Sequence, residues 1–449
     1  MEIQNIRYPL SEGSTASESS FVVNALGLLA ASALVCVCFR CGMKQPVDLF
    51  MTFVVLLLAF TVGLETLFFP RRCAILQHKV RRRLSWRRVA FREAALIVTL
   101  AAIGLAYWAI PAFSDKPMLK HYYPFLKLLI PIVLCLSLPY FCLMDKIDVE
   151  EEDAMCRVGR ALLTFKKTMS RFEFANYVRS WIIKAFWLSL MQPAVVERMR
   201  VFMYYHWEKL QGSPVEVYLM ASTICYAIDL AYASTGYIFN IKLFNAQTRT
   251  AEPSLLGWVV ALMCYWPFWG VLLMPYFFNY EMPSHWFNVM FSIGSPAWWA
   301  WAGIIILLEL LYALSSVSAG IRFSNLTYRG LWNTGPYRLT KHPAYVFKCL
   351  SWWFISAPLF VGGGINGARC ALMLFAANVL YYLRARTEER HLSHYPEYVV
   401  YAMEMNEKSI FRWVARLLPF LRYSPPAKSD LMFNVEELRW NLPRASSPH

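Results

Sequence analysis

Residues 21–39 read FVVNALGLLAASALVCVCF, and residues 49–69 read LFMTFVVLLLAFTVGLETLFF. The first run holds no charged residue, and the second holds only Glu65. An α-helix rises about 1.5 Å per residue, so roughly 20 mostly apolar residues cross the hydrocarbon core of a bilayer. Both runs have that length. The bias extends over the whole chain: of 449 residues, 58% are hydrophobic and 16% charged, against about 45–50% and about 25% in soluble domains.

Working outward, apolar runs predict about ten spans, at 21–40, 47–69, 94–113, 125–144, 173–195, 214–237, 254–279, 297–319, 343–364 and 366–384. The expected fold class is all-α, a polytopic transmembrane helix bundle. The net charge of +15 does not point to nucleic acid, because the basic residues lie between spans, where they mark the cytoplasmic side and meet anionic lipid. The run from Arg71 to Arg92 has no acid before Glu93, so that loop and the N-terminus are expected in the cytoplasm. The fifth span is interrupted by Arg179 and Lys184 and could instead lie in the interface. Parity favours a crossing, since Arg322, Arg329, Arg338 and Lys341 then share the cytoplasmic side.

Most of the eleven cysteines lie inside apolar runs, where Cys acts as a small hydrophobe. Cys36, Cys38 and Cys41 cluster at the end of the first span without a nearby His or carboxylate, so no metal is expected. The first twenty residues are polar and carry Glu2, Glu12 and Glu18, which predicts a cytoplasmic tail rather than a cleavable signal. The loop 145–172, with Glu150 to Asp153 followed by Arg157, Arg160, Lys166, Lys167 and Arg171, is expected to be a solvated or lipid-touching face. The tail 424–449 is polar and expected to be loosely ordered.

One region departs from plain membrane composition. Residues 333–345 read NTGPYRLTKHPAY; a span, a glycine turn at 362–364 and a returning span follow, and the return ends in RARTEER at 384–390. YPEYVVY comes next, at 395–401. Pro343 suits the first position of a helix, which puts His342 at the N-cap. Free backbone N–H groups and the positive dipole end make such a start an anion site. On the returning helix Arg384 and Glu388 are four residues apart and share a face, with Glu389 beside them. The hairpin brings both ends to one membrane face. Such a place could hold a zwitterion, its anion at the helix start and its cation at the carboxylates.

The ordered set Gly335-Pro336-Tyr337-Arg338, Lys341-His342-Pro343-Ala344-Tyr345, Arg384 with Glu388-Glu389, and Glu397-Tyr398 with Tyr401 resembles the isoprenylcysteine carboxyl methyltransferase family over about residues 320–401. Fainter likeness to longer bacterial members extends over 229–275, through Asp229, Gly236-Tyr237, Gly257-Trp258 and Cys264 to Phe268. The resemblance implies a methyltransferase domain over 254–423 with a helical-hairpin core, a transmembrane region of unassigned role over 21–253, and S-adenosylmethionine as cofactor. It implies a lipid-like, prenylcysteine-like or small thioether or carboxylate acceptor reached from the membrane, on the cytoplasmic side. Carried over by motif, Tyr337, His342, Tyr345 and Glu389 would bind the cofactor, and Arg384 and Glu388 would be catalytic. Three departures stand out: Lys341 replaces an arginine, Phe347 and Lys348 stand where a small residue is usual, and 411–423 does not follow the usual ending.

Two other classes fit the residues less well. Membrane sterol reductases, which use NADPH, close with an Arg-His-Pro-Asn-Tyr motif, but Ala344 replaces that asparagine here. A transporter would carry paired, broken spans in two halves, and none is evident. Asp229 and Glu309 lie mid-span and are expected to be structurally paired, although intramembrane acids are functional candidates by default. Asn378 is expected to bond helix to helix. For chemistry, Arg384 could hold a carboxylate nucleophile in its fork, whereas an amine or thiol would need Glu388 as proton acceptor.

Overall fold

The computed structural model describes residues 17–69, 80, 82–110, 122–148, 150–276, 285–358 and 364–425. The N-terminal tail up to residue 16, parts of the basic loop after residue 69, the glycines at 362 and 363, and the tail from residue 426 lie outside them. The structure is 77% helical with almost no strand. Among the described residues, its α-helices of six or more residues are α1 (Phe21–Arg40), α2 (Pro46–Phe68), α3 (Trp86–Ala109), α4 (Tyr122–Ile147), α5 (Ala154–Thr164), α6 (Arg171–Tyr204), α7 (Pro214–Ile238), α8 (Leu255–Met263), α9 (Pro296–Ala319), α10 (Pro343–Ile355), α11 (Gly364–Leu392), α12 (Pro396–Lys408) and α13 (Arg412–Leu417). The starts are written in the sequence. Ser20, Asp153, Ser170, Ser213, Ser254 and Ser295 each accept a backbone N–H from the first turn of their helix, and Ser170 with Glu173 forms a full capping box.

Six of these, α1 to α4, α7 and α9, are long and apolar enough to cross a membrane, so the protein is an integral membrane protein. Of the other four expected spans, 173–195 and 366–384 lie within the continuous helices α6 and α11, while two are broken or short. Residues 254–279 do not form one helix: α8 stops at Met263 and the chain resumes as a short π-helical turn over Phe268–Leu273. Pro267 explains the break, because it has no N–H and its ring collides with the preceding turn. Helix α10 has 13 residues rather than the expected 22 and ends at Ile355, three residues before Pro358. Helix α6 runs unbroken for 34 residues, with Ile183, Trp187 and Val196 fully inside the central core. That core also takes Phe50, Phe125, Tyr232 and Val317, from α2, α4, α7 and α9.

Long-range polar contacts gather at one end of the bundle. Asn24 Nδ2 donates to the Val317 carbonyl at 2.7 Å, Glu65 pairs with Arg322 at 3.7 Å, Ser85 N donates to Asp145 at 2.8 Å and Lys242 pairs with Asp148 at 2.7 Å. That end therefore collects the start of α1, the finish of α2, the start of α3 and the finishes of α4, α7 and α9. Among the described residues it holds Arg88, Arg92, Lys242 and Arg322.

The segment 145–172 is solvated only in part: Glu150, Glu151, Lys166, Lys167 and Arg171 are exposed, but other charges are bound into the fold. Asp145, its side chain fully buried, pairs with Arg88 at 2.7 Å and Arg92 at 2.9 Å, and Asp153 pairs with Arg92 at 3.2 Å. Helix α5 crosses α3 so closely that a Cβ on Gly159 would fall 1.6 Å from the Phe91 carbonyl oxygen. The sequence view placed these acids in water because their basic partners lie more than fifty residues upstream.

Candidate functional site

The same end of the bundle carries every motif residue of the C-terminal third. Two short strands tie its walls together: β1 (Thr250–Ala251) pairs antiparallel with β2 (Thr327–Tyr328). Beside them, Thr250 Oγ1 lies 3.0 Å from His391 Nε2 and 2.6 Å from the Tyr395 hydroxyl. Tyr328 stacks on Tyr395 with centroids 3.7 Å apart, and its hydroxyl donates to Glu397 at 2.5 Å. This fixes the end of α11 and the start of α12 against the 320–342 segment.

Helix α10 starts as expected, with Pro343 in its first turn and His342 at the N-cap. No side chain caps that start, and the Ala344 and Tyr345 N–H groups meet no acceptor among the described residues. The end of α11 faces it. His342 Nε2 lies 3.2 Å from Glu389 Oε1, and the Tyr345 hydroxyl donates to Glu388 Oε2 at 2.6 Å. The His342 and Tyr345 rings lie nearly parallel, 5.6 Å apart. The Tyr337 carbonyl accepts from the Tyr401 hydroxyl at 2.8 Å, which holds the 335–340 turn against α12.

Arg384 and Glu388 share a face of α11 but do not pair with each other. The Arg384 guanidinium lies between the rings of Tyr345, at 4.8 Å, and Tyr265, at 5.2 Å. Its Nη2 donates to Asn325 Oδ1 at 2.5 Å and to the Tyr265 hydroxyl at 3.3 Å. Nε and Nη1 meet no acceptor among the described residues. Glu388 likewise engages only Oε2 among the described residues.

Glu389 is more heavily committed than its neighbour. Lys341 lies 2.8 Å and His342 3.2 Å from Oε1, while Arg386 lies 2.6 Å from Oε2. Burial alone would raise its carboxyl pKa, but the His342 hydrogen bond and the Lys341 charge prevail and hold it down at about 2. Glu389 organises the start of α10 through its cations and has little left for a ligand. A carboxylate with a depressed pKa stabilises the fold fully above its unfolded value near 4.5, and loses that contribution as pH falls toward 2. Glu389→Gln is expected to remove on the order of 3 kcal/mol at neutral pH. Its melting temperature should then change less than the parent's between pH 4.5 and about 2, as thermal unfolding in neutral detergent would measure. Equal acid slopes for the two proteins would refute the pairing.

The structure thus brings together His342, Tyr345, Arg384, Glu388 and Glu389, and places Tyr337 one turn away through its backbone. It adds three residues that carried no assigned role: Tyr265 and Asn325, which orient Arg384, and Lys341, which shares Glu389. Tyr265 lies in the Cys264–Phe268 stretch whose composition stood out, whereas nothing near Asn325 marked it. Asp229 is paired, accepting from the Tyr312 and Ser316 hydroxyls. Glu309 is buried with Oε2 unpartnered. Asn378 accepts from Trp353 Nε1 at 3.3 Å, a bond between α11 and α10. Among the described residues no group of three His, Cys, Asp or Glu could hold a metal ion. Compared with protein-family models, curated proteins and solved structures, the chain matches none.

Proposed function

We propose that the protein is a membrane-embedded methyltransferase that moves a methyl group from S-adenosylmethionine to a lipid-like acceptor, at the bundle end where α10 starts and α11 finishes. One observation carries this reading. Motif residues more than forty positions apart meet as two cross-helix pairs, His342 with Glu389 and Tyr345 with Glu388, beside an uncapped helix start. The donor set suits a zwitterionic sulfonium cofactor. The free N–H groups of α10 would take its carboxylate, and Glu388, with one open oxygen, would face its cationic part. When bound, the cofactor supplies an electrophilic methyl carbon. The chain's own residues would orient the acceptor and exclude water, Arg384 through the N–H groups it leaves free and the aromatic rings by closing the site. The concentration of arginine and lysine at this end places it, in the proposal, on the cytoplasmic side.

Calorimetry on the purified protein tests the reading. S-adenosylmethionine is expected to bind in the micromolar range and NADPH is not. His342→Ala should weaken cofactor binding roughly ten- to a hundred-fold (~1.5–3 kcal/mol), because the ring at the N-cap, held by Glu389, fixes the helix start whose N–H groups would take the cofactor carboxylate. Unchanged binding in that variant would remove the pocket from this end of the bundle. Incubation with methyl-labelled cofactor and whole lipid extract would then identify the acceptor.

A further inference from the structure

Lys348 lies five residues into α10, about 8 Å along its axis. A lysine inside a membrane bundle ordinarily pairs with a carboxylate or carries its head back to the interface. Lys348 does neither. Among the described residues its ammonium makes no hydrogen bond and no ion pair. It faces three rings instead: Tyr312 of α9 at 5.3 Å, Trp352 one turn deeper in α10 at 5.5 Å, and Tyr381 of α11 at 5.6 Å. Ring faces attract a cation but accept none of its N–H bonds.

Asp229 of α7 lies within electrostatic reach of Lys348, yet both of its oxygens are taken, Oδ1 by Ser316 and Oδ2 by Tyr312. Arg384 stands on the other side. It lies 4.8 Å from the Tyr345 ring, that ring lies 5.8 Å from Tyr381, and Tyr381 in turn borders Lys348. Arg384 spends only Nη2 on protein acceptors. Two cations therefore flank one aromatic wall, each with N–H donors unmet, while the hydrogen bonds that Asp229 accepts come from Tyr312 and Ser316 and not from either cation. An oxyanion is the species that answers both.

We propose that Lys348 and Arg384 form an intramembrane site for the oxyanion of an amphiphile, a carboxylate or a phosphate on a lipid-soluble body. The amphiphile would enter between α9, α10 and α11, and Tyr312, Trp352 and Tyr381 would pack its first carbons. Its role as the headgroup of the methyl acceptor rests on the methyltransferase reading; the binding itself does not. Lys348 stands where the family resemblance leads one to expect a small residue, so the site belongs to this chain's own sequence.

The test titrates the full-length protein in neutral detergent with oleate, oleyl phosphate and oleyl alcohol, and measures S-adenosylmethionine affinity on the same samples. The parent should bind at least one of the two anions tenfold or more tighter than the alcohol, and whichever binds tighter identifies the oxyanion. Lys348→Met should bring the anions to the level of the alcohol with cofactor affinity kept, and Lys348→Arg should retain the preference. Should the methionine variant fail to stay monodisperse, Lys348→Gln serves in its place. A parent without preference for anion over alcohol, or a Lys348→Met or Lys348→Gln protein that keeps the preference, overturns the site. Absent cofactor binding in a parent that still selects the anions would remove the methyltransferase reading and leave the anion site standing.

Discussion

Arg384→Lys is expected to lower the turnover number by about a hundredfold or more while cofactor affinity changes little. The guanidinium does three things that a lysine cannot do together. It stacks between Tyr265 and Tyr345, it anchors one nitrogen on Asn325 and Tyr265, and it keeps other N–H groups for an acceptor. Lysine keeps the charge but loses the planar fork. Glu388→Gln should fall by a similar factor if the acceptor is an amine or thiol whose proton must leave, and the loss should then vary with pH. For a carboxylate nucleophile the loss should be smaller and nearly independent of pH. Single-turnover assays with saturating labelled cofactor separate these cases. Parent-like rates in both variants would show that Arg384 and Glu388 only hold the bundle end together.

The membrane architecture was legible because hydrophobic run length is a property of neighbouring residues. The runs at 21–39 and 49–69 are α1 and α2 to within a few residues. Breaks inside a run were harder to see. Pro267 interrupts an apolar stretch whose average hydropathy still suits a span, and helical geometry responds to the proline rather than to the average. The loop 145–172 was legible only in part, for another reason. Its acids look solvated by composition, but the packing of α3 against the end of α4 brings Arg88 and Arg92 to Asp145, and the α3–α5 crossing that Gly159 permits brings Arg92 to Asp153.

The candidate site was legible where one helix carries its own pattern. Pro343 announced the start of α10, and the spacing of Arg384 and Glu388 announced a shared face. The partners across helices were not legible. Sequence spacing gave no reason to join Glu389 to Lys341, and Lys341, Arg386 and the His342 imidazole surround that carboxylate. Lys348 appeared only as a departure from a motif. Its meaning depends on rings from α9 and α11, which no local window contains.

Gly236→Ala is expected to cost about 2–3 kcal/mol of stability and to lower turnover with it; Gly236→Val should go further and leave little folded protein. A Cβ on Gly236 would fall 2.3 Å from the Phe323 carbonyl oxygen and 3.0 Å from its carbon, both backbone atoms that no rotamer change can move aside. The two backbones are locked at that crossing, since Arg329 Nη1 donates to the Gly236 carbonyl at 2.9 Å and to the Phe323 carbonyl at 2.7 Å. The next residue carries the disturbance to the site. The Tyr237 hydroxyl accepts from Asn325 N and Nδ2, both at 2.9 Å, and Asn325 Oδ1 holds Arg384. Moving Phe323 by the roughly 1 Å that a methyl group needs at ordinary van der Waals contact would carry Asn325 away from Tyr237 and loosen Arg384 between its rings. Thermal unfolding and single-turnover rates on one preparation read both effects. Gly303→Ala is the control: its added Cβ meets nothing within 4 Å, and alanine inside a helix gains roughly 0.5–1 kcal/mol over glycine. A Gly236→Ala protein that melts and turns over like the Gly303→Ala protein would break the chain of contacts from α7 to Arg384.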